Sequence, residues 1–167
     1  MTCLGKKDNI RDYATAAFRF YAACGKLTSA ELEQMVRDRI YQQSKRAVLR
    51  SGSGMPSDAT AVAVMKAEDA VRDLQAEILD ITAVEKTLKR LNKQQRKAVE
   101  IVYFTDPEKD LERNDISDRV HRAELHIPAS EKSVYRYLKK AREIFAEERG
   151  LRIAGQKSFF KVDSSRP

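Results

Sequence analysis

Apolar side chains recur along most of this chain at intervals of three and four residues, the spacing that places them on one face of an α-helix. The first such stretch lies between Asp8 and Gly25, and glycine commonly follows the end of a helix. Its apolar positions are Ile10, Tyr13, Ala14, Ala17, Phe18 and Tyr21. A second helix is predicted from a capping box of Thr28 and Glu31 to about Arg50. Its inward positions are predicted to be Leu32, Met35, Val36, Ile40 and Ala47.

A break in the pattern follows. Residues 51–58, SGSGMPSD, combine glycine, proline and serine and are predicted to form a loop. One long helix is then predicted from residue 58 to Leu91, which would measure about 50 Å at 1.5 Å per residue. Its apolar seam consists of Val71, Leu74, Ile78, Ile81 and Leu88. A helix of this length cannot bury its stripe alone, so we expect it to pack on the first two helices, on a second copy of the chain, or on both.

Three shorter helices are predicted in the last third of the chain. Asn92 and Gln95 pair as a cap for the first of them, which ends before Pro107. Its apolar positions are Ala98, Val99, Ile101, Val102, Tyr103 and Phe104. A polar, acidic connector at 105–113 leads to a short helix at 115–123. The inward positions of that short helix are predicted to be Ile116, Val120 and Ala123.

The last helix has a clear start and a clear end. Ile127 and Pro128 lie in a turn, because the residue before a proline is disfavoured in helical geometry. Ser130 is predicted to cap the helix that follows, and Gly150 to end it. Its apolar stripe consists of Val134, Tyr137, Leu138, Ala141, Ile144 and Phe145.

These elements predict an all-α protein with an N-terminal helical hairpin in residues 1–57. The long helix at 58–91 would connect this region to a C-terminal domain and serve oligomerisation. The C-terminal domain would span 92–151, and residues 152–167, which lack periodicity, are expected to form a flexible tail.

Composition narrows the class of protein. With 167 residues, 42% hydrophobic and 34% charged, the chain fits a soluble globular protein of one domain or two small ones. Two cysteines are too few for a disulfide scaffold. No apolar stretch reaches the length of a membrane span and no signal peptide opens the chain, so no membrane partner and a cytoplasmic location are expected.

Net charge indicates the kind of partner. A formal charge of +7 and a pI near 9.4 favour an anionic partner. Residues 51–92 carry more acids than bases, so the anion-binding surface is expected elsewhere.

The last helix places its charges against its own dipole. The dipole favours acids in the first turns and bases in the last, whereas here Lys132 and Arg136 come early and Glu147 comes late. A pattern that opposes stability in this way often marks a functional surface, and an anion at this end would reverse the conflict. A solvated basic face on a helical bundle is the alternative interpretation.

The order of short helix, turn and capped second helix is that of a helix-turn-helix, whose second helix lies in the major groove of DNA. On this interpretation the residues expected to read bases are Ser130, Lys132, Ser133, Tyr135 and Arg136. Those expected to contact phosphates are Lys139, Lys140 and Arg142.

Three segments between Leu88 and Leu151 carry a resemblance to a known family. They read L-x-x-L-N-x-x-Q-R-x-A-V-x-x-x-Y-F, D-I-S-D-R-V and S-x-x-S-V-x-R-x-L-x-x-A-R-x-x-F. This region resembles region 4 of sigma factors, and it is most similar to the sigma-like late-gene regulators of phages and prophages of the ArpU and RinA groups. No segment resembles the promoter-melting region 2, so a complete sigma factor is not expected.

The resemblance implies a DNA-binding regulator of late phage genes for packaging, structure or lysis. Contact of the N-terminal helical region and the long helix with RNA polymerase is a hypothesis that the sequence leaves open. The resemblance also implies that residues 130–149 form the recognition helix and that residues 115–123 form its supporting helix. The run Arg119-Val120-His121 departs from the small residue that the family carries in the supporting helix.

Other chemistry finds little support in the residues. His121 and His126 are five apart, which does not suit two metal ligands on one helix. No phosphate-binding glycine loop or nucleophile motif is present, so no enzyme activity, cofactor or metal is expected. Two alternative functions remain open at this point: a phage small terminase-like DNA-packaging subunit, and a helical adaptor that binds an acidic protein rather than DNA.

Overall fold

The computed structural model describes residues 9–51, 58–112 and 114–151. Within these ranges the protein is built of α-helices and has no strand, which confirms the all-α class. The helices are α1 (Asn9–Ala23), α2 (Ser29–Ser51), α3 (Asp58–Asp73), α4 (Gln75–Arg90), α5 (Lys93–Tyr103), α6 (Asp115–His126) and α7 (Glu131–Arg149). The predicted tail at 152–167 and most of the predicted loop at 51–58 lie outside the described residues.

Both predicted capping boxes are present. The Thr28 Oγ1 accepts a hydrogen bond from the Glu31 amide at 3.2 Å, and the Glu31 carboxylate accepts one from the Thr28 amide at 2.7 Å. The hydrogen bonds that the Thr28 amide and the Thr28 hydroxyl donate to the Glu31 carboxylate lower the pKa of Glu31. Asn92 and Gln95 make the same reciprocal pair at the start of α5. Each pair satisfies backbone donors that the first turn of a helix leaves without a partner.

The long helix predicted from residue 58 to Leu91 is divided in two at Leu74. There the amide of Leu74 bonds the Val71 carbonyl, three residues back instead of four, at 3.2 Å. The two parts also have different neighbours. α3 packs mainly on α2, whereas α4 packs on α7 and α1. The break therefore lies where the chain passes from one packing environment to another.

One connected core contains side chains from all seven helices. Its centre is aromatic: Phe18 of α1 stacks on Tyr103 of α5 with ring centroids 5.5 Å apart, and it meets Phe145 of α7 at 5.7 Å. The predicted seam of the long helix also faces this core, because Val71, Ile78 and Ile81 are buried and Leu74 and Leu88 pack against them. Phe18 comes from outside residues 92–151, whereas Tyr103 and Phe145 lie within them, so α1 and the C-terminal helices share one core.

Polar contacts join α1 and α4 to the end of α7. Asp80 accepts hydrogen bonds from the Tyr13 hydroxyl at 2.8 Å and from the Arg149 Nε at 2.6 Å. The side chains of Asp80 and Arg149 are only 16% and 21% exposed, so solvent screens this pair weakly. Nearby, Arg90 pairs with both Glu147 and Glu148. Three helices are thus held together by charged groups around the last turn of α7.

The pairing of α2 with α3 buries less than the sequence pattern predicted. Of the five inward positions predicted for α2, Leu32 is buried, whereas Met35 is 50% exposed and Ala47 is exposed. Small residues of α3, Ala63 and Ala67, are buried. Since α2 has mainly α3 for a neighbour along its length, only one side of it can be covered.

Candidate nucleic-acid interface

α7 has the bounds that the sequence predicted. Ser130 at its N-cap position is extended, with φ −69° and ψ 159°, and Gly150 after its end has φ 75°. That left-handed conformation suits glycine, and the amide of Leu151 then reaches back to the Ala146 carbonyl at 2.8 Å. The side of α7 that faces the core carries Val134, Leu138, Ala141, Ile144 and Phe145, all buried.

The predicted side-chain cap at Ser130 is not formed. The Ser130 hydroxyl lies 3.1 Å from the Ser133 hydroxyl and makes no capping bond to the backbone. A carboxylate oxygen of Glu124, on α6, instead accepts a hydrogen bond from the Glu131 amide at 3.0 Å. Tertiary contact with α6 therefore supplies an acceptor for the first amide of α7, a different bond from the side-chain cap predicted for Ser130.

Three of the predicted site residues form an exposed row, which we call the basic ridge: Lys132, Arg136 and Lys140. They follow at intervals of four residues, which puts them on one face of α7. All three are exposed, and within the described part of the chain none has an ion pair or a hydrogen-bond partner. Lys139 stands beside the ridge, with its ammonium 4.0 Å from the Glu143 carboxylate. The described residues of the protein therefore leave the ridge charges without counter-ions.

Tyr135 and Arg142 lie on a different side of α7. Both line a cleft of about 780 Å³ between α7, α1 and the connector that follows α5. The Nη1 of Arg142 donates a hydrogen bond to the Tyr103 hydroxyl at 2.8 Å. The Arg142 side chain is partly buried. The sequence had grouped Arg142 with Lys139 and Lys140 as phosphate contacts, whereas the structure separates it from them.

The floor of this cleft is fixed by Arg19 of α1. Its Nη2 donates to the carbonyl oxygens of Pro107 at 2.9 Å and Asp106 at 3.2 Å, and it also contacts that of Lys109. Burial lowers the pKa of Arg19, and the nearby Arg119 guanidinium lowers it further. The side chains of Glu108, Lys109 and Asp110 in this polar connector are exposed, while backbone carbonyls of the connector accept hydrogen bonds from Arg19 of α1.

Acidic side chains mark the walls of the same cleft. Asp12, Glu108 and Asp110 line it, alongside the cations Arg11 and Lys109. Asp12 lies 3.5 Å from Arg11, so part of this charge is balanced locally. The cleft side of α7 is therefore of mixed charge, in contrast to the basic ridge.

The opposite side of α7 adjoins the start of α5. The Tyr137 hydroxyl donates to the Gln94 side-chain oxygen at 3.1 Å. Lys93 and Lys97 flank Gln94 on the same helix and are both exposed. Sequence reasoning used the segment LNKQQRK only as a helix cap and did not include these two lysines in the site. The signal that could have found them is their spacing of four residues, which puts both on one face of α5.

Metal chemistry gains no support from the described ranges, where no group of three or more ligating side chains occurs. His121 lies 3.6 Å from a Glu124 carboxylate oxygen and is exposed. Among the helices of the described residues, none is both long enough and apolar enough to cross a membrane.

Comparison with known proteins adds no relative. No model of a protein family matches the chain, and neither a curated protein nor a solved structure does so. The functional interpretation therefore depends on the residues and on their geometry.

Proposed function

We propose that the protein is a sequence-specific regulator of transcription that binds double-stranded DNA, of the sigma region 4-like kind found in phage and prophage late-gene regulators. In this proposal α6, the turn at 127–130 and α7 act as a helix-turn-helix, with α5 as the helix that supports both. Mutual packing of α5, α6 and α7 supports this proposal, because a recognition helix needs a rigid platform.

The observation that carries the proposal is the unpaired basic ridge on the first turns of α7. Soluble helices commonly balance exposed lysines with acids four residues away, as Lys139 and Glu143 do here. Lys132, Arg136 and Lys140 have no such partner within the described residues. Their charge also opposes the helix dipole, which places its positive end at this terminus. The phosphates and base edges of a duplex would supply the missing negative partner.

The roles within the ridge follow from side-chain chemistry. An arginine can bond the O6 and N7 atoms of guanine with two parallel hydrogen bonds, so Arg136 is proposed to read a base. Lys132 and Ser133, one turn earlier, are proposed to contact neighbouring bases, because the first residues of a recognition helix reach deepest into the groove. Lys139 and Lys140 are proposed to contact phosphates. Ser130 and Tyr135 were expected to read bases, and they are now proposed to contact DNA at the edge of the interface, since Tyr135 lies on the cleft side of α7.

The test is binding to DNA under controlled salt. Fluorescence anisotropy with a random-sequence duplex should show affinity that falls steeply as salt rises, since each neutralised phosphate contributes about −0.9 to the slope of log K against log salt. Selection from a random DNA pool should then yield a defined site that binds about a thousandfold more tightly than random duplex, or better. A chain that retains no fragment at low salt would contradict the proposal and favour an adaptor for an acidic protein.

The state of association separates regulation from DNA packaging. Val62, Val64 and Met65 of α3 are exposed apolar side chains, and such residues favour self-association. A regulator needs no more than a dimer, whereas a terminase-like packaging subunit works as a large ring. Mass measurement in solution should give a monomer or a dimer. A ring of about eight or more chains would instead favour the packaging function.

A further inference from the structure

Hydrogen bonds hold the start of α5 in place. Asn92 and Gln95 each accept a backbone hydrogen bond from the other, at 2.9 and 3.1 Å. Between them Gln94 accepts the hydroxyl hydrogen bond of Tyr137. Tyr137 follows Arg136 of the basic ridge directly, so the first turn of α5 lies alongside the part of α7 that carries the ridge.

Lys93 and Lys97 project from this turn. They are four residues apart on α5, which separates their Cβ atoms by about 5–6 Å on one face of the helix. Lys93 has no ion pair within the described ranges. The Lys97 ammonium donates one hydrogen bond, to the His126 carbonyl at 2.9 Å. An ammonium has three protons, so two remain for a further acceptor.

The bond from Lys97 to His126 also fixes where this charge lies. His126 is the last residue of α6, directly before the turn that leads into α7. The ammonium of Lys97 is thus held beside the turn, on the flank of α7 that adjoins α5. No acid within the described residues pairs with either lysine.

The two flanks of α7 differ in charge. The α5 flank presents Lys93 and Lys97, whereas the cleft flank includes Asp12, Glu108 and Asp110 among its lining residues. A helix lying in the major groove has one phosphate backbone on each side. The α5 flank is the better match for one of these backbones, since it presents two lysines without an acidic partner among the described residues, whereas the cleft flank mixes acids with cations such as Lys109 and Arg142.

We infer that Lys93 and Lys97 of α5 contact the phosphate backbone of the duplex whose major groove receives α7. This inference rests on the proposed function and extends it. It assigns the positioning of the domain on DNA to α5, a helix that the sequence pattern linked only to the core. In this proposal Lys93 and Lys97 contact phosphates in place of Arg142.

The test compares charge-neutralising and charge-preserving variants of the full chain. Lys93→Gln with Lys97→Gln should lower the salt slope of DNA binding by about two and weaken binding to specific and random duplexes by the same factor. Lys93→Arg with Lys97→Arg keeps both charges and should keep the slope. A matched control, Lys45→Gln with Lys66→Gln, removes two exposed lysines from α2 and α3 and should leave the slope unchanged.

Each outcome decides one claim. An unchanged slope in the Lys93→Gln, Lys97→Gln protein would overturn the inference while the proposed function stands on the binding of the wild-type chain. An equal loss in the Lys45→Gln, Lys66→Gln control would show that the effect follows net charge alone, and it would also overturn the inference. Absence of DNA binding by the wild-type chain at low salt would overturn the proposed function and this inference with it.

Discussion

The two halves of α7 use charge in opposite ways. In the second half, Arg149 pairs with Asp80, and Glu147 and Glu148 pair with Arg90, so charged groups connect α7 to α4. In the first half the basic ridge points to solvent without a partner from the described chain. One continuous helix is therefore part of the scaffold at one end and an exposed cationic surface at the other.

The pairing and burial of a charged side chain indicate whether its loss should affect the stability of the fold. Removing the partner of a partly buried charge such as that of Arg149 lowers the free energy of unfolding. An exposed charge such as that of Arg136, which has no partner among the described residues, contributes little to folding. Mutations at the two ends should thus affect different measurements.

The largest effect is expected from Phe145→Ala in the second half. Phe145 is fully buried and packs on Phe18 and Tyr13, with ring centroids 5.7 and 6.1 Å away. Loss of the ring should lower the free energy of unfolding by about 3–5 kcal/mol, because a cavity remains. Urea denaturation measures this, and Phe145→Leu should cost less. A loss below about 1 kcal/mol would show that α1 does not pack on α7 in solution.

Asp80→Ala should have the next largest effect. It removes the acceptor for both Tyr13 and Arg149 and leaves Arg149 partly buried without a counter-ion. Hydrogen bonds to charged groups contribute about 1.5–3 kcal/mol, and the loss of unfolding free energy should lie in that range. Glu147→Ala is the matched control: its side chain is 65% exposed, so its loss should stay under about 1 kcal/mol. If Asp80→Ala and Glu147→Ala lowered the free energy of unfolding equally, the less exposed Asp80–Arg149 pair would contribute no more to stability than the Glu147–Arg90 pair.

In the first half, Arg136→Ala should spare stability and weaken DNA binding. The expected loss is about 1–3 kcal/mol of binding free energy on the selected site, with preference relaxed at one base pair. The free energy of unfolding should change by no more than about 0.5 kcal/mol, since the side chain is exposed and unpaired. An equal loss on random DNA would instead make Arg136 a phosphate contact. If Arg136→Ala lowered the free energy of unfolding but left DNA binding unchanged, the first half of α7 would serve stability and not binding.

The smallest effect concerns alkaline pH. Burial, with the hydrogen bond to Asp80, raises the pKa of Tyr13 above its ordinary value of 10.0. The folded protein therefore holds this proton more tightly than the unfolded chain does. The resulting stability is complete below about pH 10 and is lost as pH rises through the folded-state pKa.

Tyr13→Phe keeps the ring and removes the titrating group, so unfolding free energy should fall less steeply above about pH 10 in this variant. Burial also raises the pKa of Tyr21 and Cys24. The unfolding free energy of the Tyr13→Phe variant should therefore still fall above about pH 10, but by less than that of the wild-type protein. Urea denaturation at a series of pH values gives the comparison. Identical pH profiles for the two proteins would show that the Tyr13 hydroxyl does not bond Asp80 in solution.

Several features of the fold were predictable because their causes are local. Thr28 with Glu31 and Asn92 with Gln95 bond across three residues, so their pairing needs no distant part of the chain. The same holds for the apolar stripe of α7, whose core-facing members are buried as predicted. The burial of Phe18 and Tyr21 in α1 also followed from periodicity alone.

Predictions failed where a distant residue decided the outcome. Ser130 was predicted to cap α7, but it makes no capping bond, and Glu124 of α6 instead accepts a hydrogen bond from the Glu131 amide. Nothing in the sequence near Leu74 marks a break, because neither glycine nor proline lies beside it. For α2, helical spacing indicated an inward side but could not say that Met35 would have no neighbour.

Local sequence patterns were sufficient to predict where most helices begin and end, which faces are apolar, and that the first turns of α7 carry cations. These properties depend on contacts within a few residues along the chain, and local spacing encodes them. Only the tertiary structure decided which charges are neutralised. Packing paired Arg149 with Asp80 and Arg90 with Glu148, and it placed Arg142 in the cleft. It also joined the start of α5 to α7 through the hydrogen bond between Tyr137 and Gln94. The physical reason is that a charge is balanced by whatever lies within a few ångströms of it in space, which packing between helices decides.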